Sequence, residues 1–125
     1  MNIPSNLKYT KSDEWLDPDN GKMGLSDYAQ NQLSDIVFVE ALVDIDDEIE
    51  VGDGISEVES VKASAEVYSP AGGIVIAVNE ELADSPEVIN SDPYGEGWLV
   101  QVKISEISDD LMDADAYEKY CEERD

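Results

Sequence analysis

Chemistry has few places to reside in this 125-residue chain, which has no histidine, one cysteine (Cys121) and 7 basic residues against 31 acidic ones. One basic residue stands apart. Lys62 is the only Lys or Arg between Lys22 and Lys103, an interval that also holds eighteen Asp and Glu. It lies in Glu59-Ser60-Val61-Lys62-Ala63, with strand-like segments on both sides: Ile55 to Val61 before it and Ala63 to Tyr68 after it, closed by Ser69-Pro70-Ala71-Gly72-Gly73. That pattern places Lys62 at the tip of a β-hairpin. A tip offers an ε-amine to a modifying enzyme on a backbone held by cross-strand bonds. The surrounding acids favour the protonated amine, whereas a Schiff-base lysine needs burial or cationic neighbours. Two readings of Lys62 fit this setting: an ordinary solvated lysine, or the attachment point of a prosthetic group with the rest of the chain as its mount.

Composition narrows what that mount is. With 42% hydrophobic residues, two Trp and six Tyr, residues 1–125 are expected to form one globular domain. Its core is expected over about 7–105 and a C-terminal helix over about 108–122. No run of apolar residues is long enough for a transmembrane helix. Met1-Asn2-Ile3-Pro4-Ser5 resembles neither a secretion signal nor a transit peptide, so the cytoplasm is the expected location, ahead of the mitochondrial matrix. Without histidine and with one cysteine, the usual zinc and copper ligand sets are missing and no metal is expected. His-based catalysis is excluded too, and no nucleophile–base motif stands in for it, so no catalytic residues are assigned. A formal charge of −24 repels nucleic acid and anionic membranes, which excludes both as partners. The same charge would attract positive faces on partner enzymes, and it also fits solubility or adaptation to high salt.

The elements that position the lysine can be read in chain order. Leu7 to Leu16 reads as one strand, Asp17-Pro18-Asp19-Asn20-Gly21 as a turn, and Lys22–Leu25 as the returning strand. Ser26 is placed to N-cap a short helix, Asp27 to Leu33. Ile36-Val37-Phe38-Val39 reads as a buried strand, Ala41 to Glu48 as a solvated connection or strand edge, and Gly52-Asp53-Gly54 as a turn. Strict alternation then puts Ile55 and Glu57 on one face and Ser56 and Val58 on the other. Gly73 to Val78 echoes Asp35 to Val39, and Gly95-Glu96-Gly97 echoes Gly52-Asp53-Gly54, a weak repeat that suggests a quasi-symmetric β-sandwich. Ser85 with Pro86 would start a helical turn. In the tail, Ser108 or Asp113 can cap a helix whose Tyr117, Tyr120 and Cys121, with Leu111, dock on the sandwich; Cys121 there is a packing residue.

The segment around Lys62 resembles the H-protein family of the glycine cleavage system, whose lipoyl-lysine lies in the same Glu-Ser-Val-Lys-Ala setting. The resemblance runs over roughly residues 7–122. It includes Tyr9-Thr10, Glu14-Trp15, Gly24-Leu25-Ser26-Asp27-Tyr28-Ala29-Gln30, Asp35-Ile36-Val37-Phe38-Val39-Glu40 and Tyr68-Ser69-Pro70. It continues through Gly73, Val78-Asn79, Asp84-Ser85-Pro86, Asn90, Asp92-Pro93-Tyr94-Gly95-Glu96-Gly97-Trp98 and Ala116-Tyr117. Departures are Asp13 where the family often has His, Ala41-Leu42 where it commonly has Leu-Pro, and Ala65 where a Ser is usual.

The resemblance implies a mostly-β, barrel-sandwich hybrid (hammerhead, lipoyl-domain-like) fold. Two quasi-symmetric antiparallel sheets would be joined by an N-terminal hairpin, short helices and a C-terminal helix. It implies (R)-lipoic acid in amide linkage at Lys62, installed by a lipoate ligase or lipoyl transferase that recognises Glu59, Ser60, Val61 and Ala63. A pyridoxal-phosphate glycine decarboxylase would load an aminomethyl group onto the arm. A tetrahydrofolate-dependent aminomethyltransferase would take the methylene carbon and release ammonia, and an FAD-dependent dihydrolipoyl dehydrogenase would reoxidise the dithiol. The chain itself would be a carrier, not an enzyme. Carried over by motif, Glu14, Ser12 and Glu66 would form a cleft that shelters the loaded arm. Two other readings keep the same lysine: a relay protein that donates lipoyl groups to other acceptors, and a lipoyl or biotinyl domain of another complex. Val61 and Ala63 disfavour a biotinyl site, where Met usually flanks the lysine.

Overall fold

In this computed structural model, residues 1–124 are described. Nine strands form two antiparallel sheets. The larger has the order β1 (Lys8–Tyr9), β2 (Glu14–Leu16), β3 (Lys22–Leu25), β9 (Val100–Ile107), β8 (Ala71–Val78), β5 (Glu48–Ile49), and the smaller has β4 (Ile36–Ala41), β6 (Gly54–Ser60), β7 (Ser64–Tyr68). Three α-helices, α1 (Asp27–Leu33), α2 (Val88–Ser91) and α3 (Ala114–Arg124), and a 3-10 turn at Glu80–Ala83 complete the described elements. The two segments that echo each other in sequence lie in different sheets: β4 pairs with β6 in the smaller, β8 with β9 in the larger.

Apolar residues drive the sheets together. Leu16, Met23, Ile55, Val58, Val67, Val75, Val100 and Val102 are buried in one cluster drawn from both sheets. A β-bulge between Gly54 and Ser56 changes the reading of β6. It breaks strict alternation, so Ile55, Ser56 and Val58 are all buried and only Glu57 of these four stays partly exposed. The buried Ser56 hydroxyl is satisfied by donating to the Glu40 carbonyl at 2.9 Å.

β4 differs from its expected burial. Only Ile36 of the Ile-Val-Phe-Val run is buried, while Val37 and Phe38 are 53% and 45% exposed. The cause is position: β4 is an edge of a three-stranded sheet, and its register shifts between Ile36 and Phe38, so a continuous apolar run does not meet a continuous core.

The N-terminal strand also divides. Residues 7–16 are not one strand but two, β1 and β2, paired through Tyr9 and Trp15 across a turn at Thr10–Asp13. Asp13 has φ 75°, which a β-pattern cannot accommodate but Asp tolerates better than most residues. The following turn at Asp17–Gly21 forms as its sequence demands, with Gly21 at φ 81° and its N–H donating to the Asp17 carbonyl at 2.8 Å. Ser26 caps α1, its hydroxyl oxygen accepting from the Ala29 N–H. Ser85 makes no side-chain cap; α2 begins beyond it, at Val88.

A second, aromatic cluster of Leu7, Tyr9, Trp15, Tyr28, Tyr117 and Cys121 seats α3. The helix starts at Ala114, later than the expected 108. Asp113 is the residue that caps it, through its carboxylate to the Ala116 N–H at 2.8 Å. Residues 108–112 instead turn at Asp109–Asp110 and lead into a bridge between Met112 and Tyr9. Cys121 is fully buried in this cluster, as a packing residue.

Gly21 gives a direct test of the β3–β9 seam. A Cβ there would collide with the Val102 carbonyl, in a backbone conformation that already disfavours side chains. Gly21→Ala is expected to lower unfolding free energy by about 1–3 kcal/mol, measured by urea denaturation.

Candidate functional site

The Lys62 tip is built by one serine. The Ser60 hydroxyl oxygen accepts from the Lys62 and Ala63 N–H groups at 3.3 and 3.0 Å and donates to the Ala63 carbonyl at 3.1 Å. The Ser60 N–H donates to that carbonyl too, at 2.8 Å. This local satisfaction lets a four-residue loop close without glycine. The Val61 N–H donates to the Asp35 carbonyl at 3.0 Å, which ties the tip to the start of β4. Glu59 faces Ser64 on β7 and Phe38 on β4, below the tip. Val61, Lys62 and Ala63 are exposed, and among the described residues the Lys62 amine has no hydrogen-bond or ion-pair partner.

At the far end of β7 lies a cavity of about 370 Å³. Thr10, Ser12 and Glu14 face it from the first turn, Tyr68 and Pro70 from the end of the hairpin, and Leu111 from the strap before α3. Glu14 is 2% exposed, which is unusual for a carboxylate, and each of its oxygens accepts at least one hydrogen bond. Oε1 accepts from the hydroxyls of Thr10 and Ser12, both at 2.6 Å, and Oε2 from the Tyr68 N–H at 3.2 Å. Burial pushes the Glu14 pKa above the usual carboxylate range; the Ser12 and Thr10 hydroxyls and the Tyr68 N–H pull it back, and Asp13 adds a smaller upward push.

Of the residues assigned to this cleft from sequence, the structure brings Ser12 and Glu14 together and leaves Glu66 outside. Glu66 is exposed, does not line the cavity, and lies over Gly54 on the outer face of β6. Its place is on β7 between the two features: Ser64, Glu66 and Tyr68 share one face of the strand, which runs from the lysine loop to the cavity mouth. Thr10 and Tyr68 are the cleft residues that sequence reasoning did not assign. The period of two in Thr10, Ser12, Glu14 was the available signal for Thr10. A backbone donor such as the Tyr68 N–H leaves none. Among the described residues no group of three or more His, Cys, Asp or Glu could hold a metal ion.

Two facing antiparallel sheets with a lysine at the tip of the β6–β7 hairpin define a barrel-sandwich hybrid domain of the lipoyl-domain type. Comparison with known proteins is then specific. The glycine cleavage H-protein family model matches residues 7–124. The chain is 47% identical over 127 residues to the glycine cleavage system H protein of Halothermothrix orenii, with 98% of each chain covered. It is 53% identical over 122 residues to that of Psychrobacter cryohalolentis, covering 94% of this chain and 96% of that one. The crystal structure of a glycine cleavage system H protein from Mycobacterium marinum superposes with a TM-score of 0.85 at 31% identity, over 98% of both chains. The chain belongs to the glycine cleavage H-protein family.

The raised pKa of Glu14 has a consequence for stability. In the window between the ordinary carboxylate value and the raised one, the folded state binds more protons than the unfolded state, so this residue's contribution declines as pH rises through that window. Glu14→Gln cannot titrate. The melting temperature of the native protein, taken relative to Glu14→Gln, is expected to fall across the window and to level off above it, measured in a pH series of thermal melts.

Proposed function

We propose that this chain is the lipoyl-carrying shuttle of the glycine cleavage system, with Lys62 as the attachment residue and Glu14, Ser12 and Thr10 as the shelter for the arm's cargo. The observation that carries the reading is the Lys62 amine itself, exposed and, among the described residues, without a partner on a loop that Ser60 holds in shape. When bound, the lipoyl dithiolane supplies a disulfide that can take up an aminomethyl group and give it up again.

The chain's own residues do the rest by holding and shielding. Ser60 and the Val61–Asp35 bond keep the tip in one conformation, so that a lipoate ligase or lipoyl transferase meets Glu59, Ser60, Val61 and Ala63 in fixed positions. Between tip and cleft, β7 spans about 13 Å at roughly 3.3 Å per residue from Ser64 to Tyr68. Glu66 stands on that path, where its charge can guide a cationic cargo without enclosing it. Inside the cavity, Glu14 is the acceptor for an ammonium group. Its carboxylate is aimed by the Thr10 and Ser12 hydroxyls and the Tyr68 N–H, and Pro70, Leu111 and the Tyr68 ring limit access by water. The residues fit the group in chemistry as well as shape: an apolar wall for an aliphatic arm, and one buried acid for its amine.

The partners of this reading are a pyridoxal-phosphate glycine decarboxylase, a tetrahydrofolate-dependent aminomethyltransferase and an FAD-dependent dihydrolipoyl dehydrogenase. Those enzymes perform the bond changes, and this chain performs none of them. A cytoplasmic location completes the proposal and is in keeping with its bacterial relatives.

Expression with lipoate and a ligase, followed by intact mass and peptide mapping, tests the attachment. One lipoyl group on Lys62 and none on Lys62→Arg is expected; modification elsewhere, or none, would sink the assignment. Glycine–bicarbonate exchange with a glycine decarboxylase then separates a shuttle from a lipoate relay. Exchange should require the modified native chain and be lost in Lys62→Arg.

A further inference from the structure

The Thr10–Glu14 turn has two sides, and α3 holds the one away from the cleft. Thr10, Ser12 and Glu14 converge on the cavity. The intervening positions are gripped by the helix. The Asp13 carboxylate accepts from the Tyr117 hydroxyl at 2.8 Å and from both terminal nitrogens of Arg124, at 3.2 and 2.5 Å. The Lys11 carbonyl accepts from the Tyr120 hydroxyl at 3.0 Å. Just before the turn, the ring of Tyr9 stacks on that of Tyr117, with centroids 4.6 Å apart and planes 4° from parallel.

Arg124 is itself held firmly. Its guanidinium lies 4.2 Å from the centre of the Tyr28 ring and 4.3 Å from that of Tyr120. A forked, stacked arginine is the geometry in which an ion pair near the surface has directional force, unlike a mobile lysine pair. Behind it runs a proton-donor chain of fixed direction. A carboxylate can only accept, so Tyr117 donates to Asp13, and the Ser26 hydroxyl, 2.6 Å away, donates to Tyr117 while accepting from the Ala29 N–H. Burial raises the Tyr117 pKa, which keeps that hydroxyl a donor. Asp13 at φ 75° is thus fastened by three elements: the turn itself, α1 and α3.

We propose that Asp13 and Arg124 are positioning residues of the cleft, which set the Glu14 carboxylate through the turn they share. This deepens the carrier reading and rests on it for what the cleft holds. The positioning can be tested without the arm.

Two readouts on the unmodified protein report on Glu14: its carboxyl titration followed by NMR, and the amide resonance of Tyr68, which donates to it. The charged groups around it are Asp13 beside it and Lys11 and Asp110 in the cavity lining, and they stay constant in Arg124 variants. Arg124→Met keeps the stem between the two rings and removes the fork; Arg124→Lys restores the charge without the fork. Asp13→Asn, which can still accept from Tyr117, is the second variant should Arg124→Met fold poorly; it also removes a charge that raises the Glu14 pKa, so there the Tyr68 amide is the readout. A loosened turn changes both the burial that raises the Glu14 pKa and the hydroxyl and amide bonds that lower it, so the midpoint should move in Arg124→Met, by about half a pH unit. The Tyr68 amide should shift with it, and Arg124→Lys should lie between Met and the native residue. In the lipoylated protein the loaded arm should then hydrolyse severalfold faster. Variants that melt at lower temperature but leave the Glu14 midpoint and the Tyr68 amide unmoved would overturn the proposal and reduce Arg124 to an anchor for the helix. A moved midpoint with an unchanged arm lifetime would uphold the positioning and instead refute the cleft as the shelter.

Discussion

A carboxylate removed from water must find donors, and Glu14 is the group on which the architecture of the cleft depends. Its two oxygens recruit Thr10 and Ser12 from its own turn and the backbone of Tyr68 from the other sheet. The bond to Tyr68 is thus more than local: it joins the N-terminal meander to the end of the lysine-bearing hairpin, on a residue pair 54 positions apart in the chain. That bond holds the first turn against β7 beside the apolar cluster, which packs Leu16 and Met23 with Val67.

The two clusters of buried residues divide the work accordingly. The aliphatic one, between the sheets, supplies the hydrophobic stabilisation and treats its members as volume. The aromatic one, around Tyr9, Trp15 and Tyr117, is directional. Trp15 donates to the Pro93 carbonyl at 3.0 Å, Tyr9 to the Pro4 carbonyl at 2.6 Å, and Tyr94 to the Asn2 carbonyl at 2.7 Å. Each ring fills space and also fastens a segment that has no strand of its own. That is why the irregular parts of the chain, rather than the sheets, cluster around the tyrosines.

Legibility in the sequence followed the range of the interactions. The β6–β7 hairpin with Lys62 at its tip, the Asp17–Gly21 turn and the Ser26 cap are local devices, and alternation and turn residues reveal them. Burial was less legible where it depends on neighbours: Val37 and Phe38 have the composition of a core strand, yet lie on an edge. The division of Leu7–Leu16 into two strands turns on the backbone of Asp13, whose positive φ has no periodic signature. Ser12 and Glu14 entered through family resemblance, and their convergence is borne by hydroxyl–carboxylate bonds that spacing permits. Glu66 shows the limit of that route, since a motif position fixes a strand face but not whether the face closes over.

The strand order carries a kinetic meaning as well. β3 neighbours β9, and Tyr9 bridges Met112, so the larger sheet joins segments near opposite ends of the described chain. Closing such long loops is slow, whereas a hairpin with a short loop forms on a timescale of roughly microseconds. The lysine-bearing hairpin is therefore able to assemble early from contacts of its own, while the chamber at its other end waits for the last long-range pairing of the chain.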